Sequence, residues 1–334
     1  MTENAAAAPL TRYDLSMSET LIDTAAEAAA EEISFNRSFE GPPGALVRLS
    51  PLVRRMVAGN PGPMTFTGTC TYVVGSGEVA IIDPGPDSPW HTSALIGALA
   101  RETVVAILVT HTHKDHSPGA RALQQATGAS IIGCAPFAPA KQAAGDEPGK
   151  IIRLDGAHDP GHTPEKIMRE GEAFETSDFS LVCVETPGHT MNHLAFCLPQ
   201  EQALFSGDHV MAWSTSVITP PDGSIRDYMA SLEKLRLRDD RIYWPGHGGP
   251  VTEPQRFVRA LAQHRRQRER AILARLGNGD ETIEAIVSRV YEGLAPALRA
   301  AAGLSVLAHL EDLVARGLVT ADGPATLATH FHPA

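Results

Sequence analysis

From Val105 to Ala120 the chain reads "VAILVTHTHKDHSPGA", an aliphatic run that ends in His111, His113, Asp115 and His116 within six positions. Imidazole together with carboxylate suits zinc, and iron or manganese are also compatible. In extended chain, side chains alternate with period two, so His111 and His113 point the same way and can grip one ion. Asp115 and His116 come after the chain begins to turn and can face a second position nearby. A lone His-x-His reads as an ordinary surface loop, whereas His-x-His-x-Asp-His directly after a buried strand is far more specific.

Two metal positions need more than these four ligands. "PGHT" occurs twice, at 160–163 and at 187–190. His189 follows the strand-like "LVCVETPGHT" and precedes "HLAFCL", while His162 lies in an irregular stretch among Asp155, His158 and Asp159. His189 is therefore the expected ligand and His162 a loop residue. Asp208 in "LFSGDHV" and His247 in "IYWPGHGG" also stand just past strand-like runs, as does Asp83 in "IIDPG". Chemistry-bearing residues thus sit at five strand ends, where α/β folds build sites on a rigid scaffold.

The elements that must position them alternate between strand and helix, which makes this an α/β protein. "MTFTGTCTYVVG" and "EVAII" are strand-like and are separated by Gly-Ser-Gly, a hairpin signal. A helix over 88–101, the strand "VVAILV", a helix over 117–127 and a strand over 129–133 follow, then irregular chain to about residue 175. "SLVCVET", "HLAFCL" and "QALFSG" are strands. Ile225, Tyr228, Met229, Leu232 and Leu235 mark a helix before the short strand "RIYW".

At 334 residues and 43% hydrophobic content, the chain can form one large and one smaller domain. No apolar run reaches the roughly 20 residues a membrane span needs, and the first residues carry no export pattern, so a cytoplasmic protein without a membrane partner is expected. Cys70, Cys134, Cys183 and Cys197 stand singly in apolar surroundings and read as buried thiols. The net charge of −11 disfavours broad binding to nucleic acid. Residues 1–40 hold eight acids against two arginines and read as a loosely ordered acidic arm. The reverse holds at 253–275, with seven arginines against Glu253 and Glu269, which reads first as a solvated helix face and second as a patch that attracts an anionic substrate such as coenzyme A or RNA.

Taken in order, "THTHKDH", "TPGHT", "FSGD" and "PGHG" resemble the metallo-β-lactamase-fold hydrolases, over about residues 64–250. The resemblance implies a four-layer αββα sandwich with metals at one edge of its two sheets. It also implies that His111, His113 and His189 hold one Zn2+, that Asp115, His116 and His247 hold a second, and that Asp208 bridges them. Asp83 would orient a ligand histidine, as metal-bound imidazoles generally require. His193 matches the histidine that often follows "GHT", and either supports a ligand or faces substrate. His209 has no assigned role. Two divalent ions about 3.5 to 4 Å apart can share a hydroxide nucleophile and clamp the attacked oxygen and leaving group. Asp115 or Asp208 could accept its proton. The chain contains no Gly-x-Ser-x-Gly elbow.

Within the family, Asp208 and the unexported start separate the chain from true β-lactamases. It is more similar to the glyoxalase II-like hydrolases, which act on thioesters, and to the β-lactamase-like protein 2 group. "TIEAIVSRVYEGL" followed by "SVLAHLEDLVARGLV" looks like that group's small winged-helix-like domain. Val306, Leu307, Leu310, Leu313, Val314 and Leu318 share a helical face and are expected to be buried. The expected organisation is an arm (1–40), a catalytic domain (41–252), a basic connecting helix (253–277) and a winged-helix-like domain (278–334). Residues 276–334 hold three arginines against seven acids, a poor phosphate surface, so a cap that could support a homodimer is favoured over a DNA-binding module. An acyl or thioester substrate is expected first and single-stranded RNA second. A third alternative implied by the family is a one-iron persulfide oxygenase using His111, His189 and Asp208.

Overall fold

A computed structural model describes residues 33–138, 157–294 and 296–334. The acidic arm up to residue 32 and Asp155 lie outside the described residues. The chain opens with β1 (Val47–Arg48), β2 (Val53–Val57), β3 (Cys70–Ser76) and β4 (Glu78–Ile82), each antiparallel to the next. After helix α1 (Pro89–Ala98) come β5 (Thr103–Val109), helix α2 (Gly119–Thr127), β6 (Ser130–Gly133) and β7 (Lys166–Ile167), and β4 to β7 run parallel. Together they form a seven-stranded sheet in sequence order. Ser88 caps α1 by accepting from His91 N, and Gly128 ends α2 in the left-handed conformation with φ 74°.

The second sheet holds β8 (Ala173–Glu175), β9 (Ser180–Glu185), β10 (Leu194–Leu198), β11 (Ala203–Gly207) and, after helix α3 (Ile225–Arg236), β12 (Ile242–Pro245), in the order β12-β11-β10-β9-β8. Its strands are apolar on both sides, and period-two alternation divides them. Leu181, Cys183, Phe196, Phe205 and Trp244 face the first sheet, in the central core. Their neighbours Val184, Ala195, Cys197, Leu204 and Tyr243 face the other way, onto Tyr228, Leu232 and Leu235 of α3 and onto Val258 and Leu261 of helix α4 (Pro254–Gly277). Helices outside and two sheets inside give the expected four-layer sandwich. All four cysteines are buried and free.

Beyond α4 lie α5 (Ile283–Val290), α6 (Arg299–Ala315), and the hairpin β13 (Val319–Ala321) and β14 (Phe331–Pro333). Ile286, Val306, Leu310, Leu313 and Phe331 close a third core, which Ile272 and Leu276 from the end of α4 complete. Helix α4 is therefore shared: its first half seals the sandwich and its last turns belong to the winged helix. Ala308 of α6 enters the sandwich-side core, and Arg226 of α3 pairs with Asp312 of α6 at 3.1 Å. Among the described residues, no helix is long and apolar enough to cross a membrane.

Four expectations need correction. Residues 64–69 are not strand: the chain takes positive φ at Phe66 (54°) and Gly68 (128°), and pairing starts only at Cys70. The chain expected to be irregular up to about residue 175 holds the short strands β7 and β8, and β1 and β2 are further strands within "VRLSPLVRRMV". Leu318 is 45% exposed, because α6 ends at Ala315 and Gly317 turns the chain with φ 70°. Finally, the basic stretch is not wholly a solvated face. Arg265 is buried and donates to the Ser216 carbonyl, and Arg268 donates to the Val290 carbonyl at 2.9 Å with its guanidinium over the Tyr291 ring.

Candidate metal centre

Strand directions explain why residues distant in sequence meet. Strands β4 and β5 are parallel, β11 and β12 are parallel, and β9 runs the same way as β11 because β10 opposes both. Their carboxyl ends thus present Asp83, the His111–His116 loop, His189, Asp208 and His247 along one rim. The sheets are joined at that rim by Cys70 N donating to the Gly246 carbonyl at 2.7 Å and by Leu194 N donating to the Thr110 carbonyl at 2.8 Å.

Two groups of ligand atoms result. His111, His113, His189 and Asp208 form one, and Asp115, His116 and His247 the other, with ligand atoms in each group within 4.8 Å of one another. His113 Nδ1 lies 3.0 Å from His111 Nε2 and 3.1 Å from His189 Nε2. In the second group, His116 Nε2 and His247 Nε2 are 3.2 Å apart, and Asp115 Oδ2 lies 3.4 and 3.2 Å from them. Asp208 stands between: its Oδ2 is 3.8 Å from His189 Nε2 and 3.4 Å from His247 Nε2. Its Oδ1 is buried without a hydrogen-bond donor.

The far side of each ring decides what these contacts mean. His116 Nδ1 lies 2.9 Å from Asp83 Oδ2 and His189 Nδ1 2.6 Å from the Val217 carbonyl. His247 Nδ1 lies 3.3 Å from the Gly68 carbonyl. His111 Nδ1 lies 3.0 Å from Thr110 Oγ1, whose proton goes to Asp83 Oδ2 at 2.8 Å. In these four rings Nδ1–H is thus spent on an oxygen, which leaves their Nε2 lone pairs, together with Nδ1 of His113, aimed at one another and at two carboxylates. Lone pairs in van der Waals contact repel unless a cation lies among them, so the donor set fits divalent metal.

Electrostatics point the same way. Burial holds the His111 and His113 imidazoles well below their usual range. At His247 burial also opposes charge, but Asp208 and Asp115 outweigh it and lift the group to about 9. Asp208, although buried, is held well below the usual carboxylate range by His247 and His116. The carboxylates thus demand compensating positive charge, which protons or cations can supply.

Every expected ligand is in the cluster. His162 is not: it is buried against the Cys134 carbonyl, 3.1 Å from Nε2. His193 is 1% exposed and lies behind Asp208, whose backbone N–H donates to its Nε2 at 3.1 Å, while its Nδ1 meets Thr186 Oγ1 at 2.8 Å. It therefore faces the protein and not the cavity. His209 is buried against the Tyr228 ring, centroids 4.4 Å apart. Sequence reasoning missed His158 and Asp222. The backbone of His158 bridges to His113, its ring stacks on Phe137 at 3.8 Å, and its Nε2 lies 3.4 Å from Asp222 Oδ2, beside the cluster. "AHDPGH" and "PPDG" carry no spacing that ties them to the metal motif.

A cavity of about 570 Å3 opens over the cluster, reaching His113, Asp115, His189, Asp208 and His247 at its floor. Residues 64–247 match the metallo-β-lactamase superfamily and residues 282–325 the β-lactamase-associated winged helix domain. The chain is 34% identical to a β-lactamase-like protein 2 homolog of Drosophila melanogaster, covering 82% of this chain and 91% of that one. It is 32% identical to an atrochrysone carboxyl ACP thioesterase of Aspergillus fumigatus, covering 69% of this chain and 66% of the thioesterase. A metallo-β-lactamase family protein from Thermus thermophilus shares the fold, with a TM-score of 0.68 at 24% identity over 86% of this chain and all of that one. The strand-end ligand clusters, the two-sheet sandwich and these matches together place the chain in the metallo-β-lactamase superfamily, with a β-lactamase-associated winged helix domain following its metal-site domain.

Proposed function

We propose that the chain is a two-zinc hydrolase of thioesters or esters. The observation that carries this reading is the pair of ligand groups with the Asp208 carboxylate between them under an apolar cavity. His111, His113 and His189 would hold one ion, Asp115, His116 and His247 the other, and Asp208 both. Bound there, the ions would lower the pKa of water to about 7 and polarise the attacked carbonyl. Asp83 fixes the His116 ring, and His193 fixes the backbone at Asp208, so neither ligand reorganises when substrate arrives. Asp115, with a quarter of its side chain exposed, lies at the cavity floor, where its carboxylate can take a proton from the attacking water. A thiolate leaving group needs little acid assistance, so no further catalytic side chain is required. Curated relatives named as thioesterases support the thioester class.

Two alternatives are weaker. Lys114 is the single Lys or Arg among the described residues lining the cavity, which offers RNA few phosphate contacts. An iron oxygenase would use only the first group and leave Asp115, His116 and His247 without purpose.

A hydrolysis screen of the zinc-loaded protein against acyl-CoA, S-acylglutathione, lactone and single-stranded RNA tests the reading. Turnover of a thioester or ester is expected, with weak and salt-sensitive RNA cleavage. RNA cleavage that persists at high salt, with no acyl substrate turned over, would overturn it.

A further inference from the structure

The cavity wall comes from two bodies. Met64, Phe137 and Val217 belong to the metal-site domain, whereas Ala300, Ala301 and Leu304 come from the start of α6 in the winged helix. Positions 300, 301 and 304 share one helical face by their i+3 and i+4 spacing. Other residues of α6 are fixed: Val306, Leu310 and Leu313 are in the third core and Ala308 is in the sandwich-side core. The helix is therefore a rigid wall, and at 300 and 301 that wall presents only methyl groups. A volume of about 570 Å3 with apolar sides matches an ordinary small-molecule site.

We propose that α6 bounds an acyl-chain subsite, and that the small side chains of Ala300 and Ala301 admit a long or bulky apolar acyl group to the metal centre. The winged helix then acts as a specificity element of the hydrolase. This rests on the thioester or ester reading for its substrate, but not for the shape of the subsite. Apolar walls suit the acyl portion and not a phosphate-bearing leaving group, for which the lining offers only Lys114 among the described residues. Leu304, 7% exposed, lines the same wall one turn further along α6, so a larger side chain at 300 or 301 adds bulk to that wall of the cavity.

The test uses N-acetylcysteamine thioesters from acetyl to dodecanoyl, together with calorimetric binding of the matching free acids to the full zinc-loaded chain. Each methylene that enters the subsite should improve kcat/KM and acid affinity about fourfold, until the chain fills the space. Ala300→Phe and Ala301→Phe should lower the dodecanoyl-to-acetyl ratio of kcat/KM at least tenfold, chiefly through KM, and should shorten the chain length at which acid affinity levels off. Leu237→Ser, at a 72% exposed position outside the cavity, should change neither. Ala300 is exposed, so its variant is not expected to disturb folding. Thioester cleavage with the same chain-length ratio in all variants would overturn the subsite and leave the proposed reaction standing. Length-dependent acid binding that the two variants shorten, without any thioester cleavage, would support the subsite and overturn the reaction. Acid affinity independent of length would overturn the subsite outright.

Discussion

Four histidines of the cluster, His111, His116, His189 and His247, act through the oxygen behind the ring, and that dependence can be tested one side chain at a time. Asp83 carries the heaviest load: it accepts from Thr110 N and Thr110 Oγ1 at 2.8 Å each and meets His116 Nδ1 at 2.9 Å, from a backbone held at φ 51°. A non-glycine residue in that left-handed region is strained, and here the strain aims a carboxylate. Asp83→Ala should weaken zinc binding about 10- to 100-fold in a chelator competition, the usual cost of losing such a support. An unchanged affinity would show that His116 is oriented by something else. The duplicated "PGHT" gives a second test. His189→Ala should lose zinc and turnover, while His162→Ala, whose ring meets Cys134, should keep its full zinc complement in the same titration. The reverse would exchange the two histidines' roles. These residues were legible because each chemistry-bearing type stands at the end of an aliphatic run. His158 and Asp222 were not, since only the folded loops bring them beside His113.

At the scale of elements, the rim is tight because glycines let backbone and ligands approach. A Cβ at Gly246 would stand 2.4 Å from Asp208 Oδ1 and 2.7 Å from His116 Cε1, so the strand end of β12 packs directly on both groups. Gly246→Ala should therefore push the ligands apart and lower zinc affinity roughly tenfold or more, judged by disturbed supporting shells elsewhere. Gly97→Ala, in α1 with nothing within 4 Å of its Cβ, should leave zinc affinity unchanged. Equal affinities in both variants would mean that the rim yields easily. Periodicity revealed β3 to β6 and β9 to β12 well, because their apolar runs match buried strands. It failed at β1 and β2, where arginines interrupt the pattern. Arg54 pairs with Glu102 at 2.6 Å and Arg55 lies over the Phe39 ring at 4.3 Å. Glu102 lies far along the chain, so a local pattern carries no sign of the charge that makes Arg54 acceptable in a strand.

At the scale of the molecule, the winged helix is bound to the sandwich through buried groups that no local pattern announces. His309 of α6 is 1% exposed, and burial, with Arg265, Arg268, His264 and Arg316 nearby, lowers its pKa to about 3. The unfolded chain would protonate it near 6.5, so unfolding takes up a proton and stability falls as pH drops below that value. The loss should approach about 2 kcal/mol by pH 5 for this one group. His309→Gln should therefore lose less stability than the wild type between pH 8 and pH 5, measured from urea midpoints. Equal losses would show that His309 is charged in the folded protein. The sequence indicated a helical module after the metal domain, but not that α4 serves two cores or that α6 walls the cavity, because both depend on how the domains meet. Whether two ions share Asp208 is decided by elemental analysis of the metals retained per chain in wild type and Asp208→Ala. Two zinc ions are expected in the wild type, with weakened retention at both positions in the variant. A wild type holding one iron, or an Asp208→Ala protein that keeps two tightly bound ions, would contradict this arrangement.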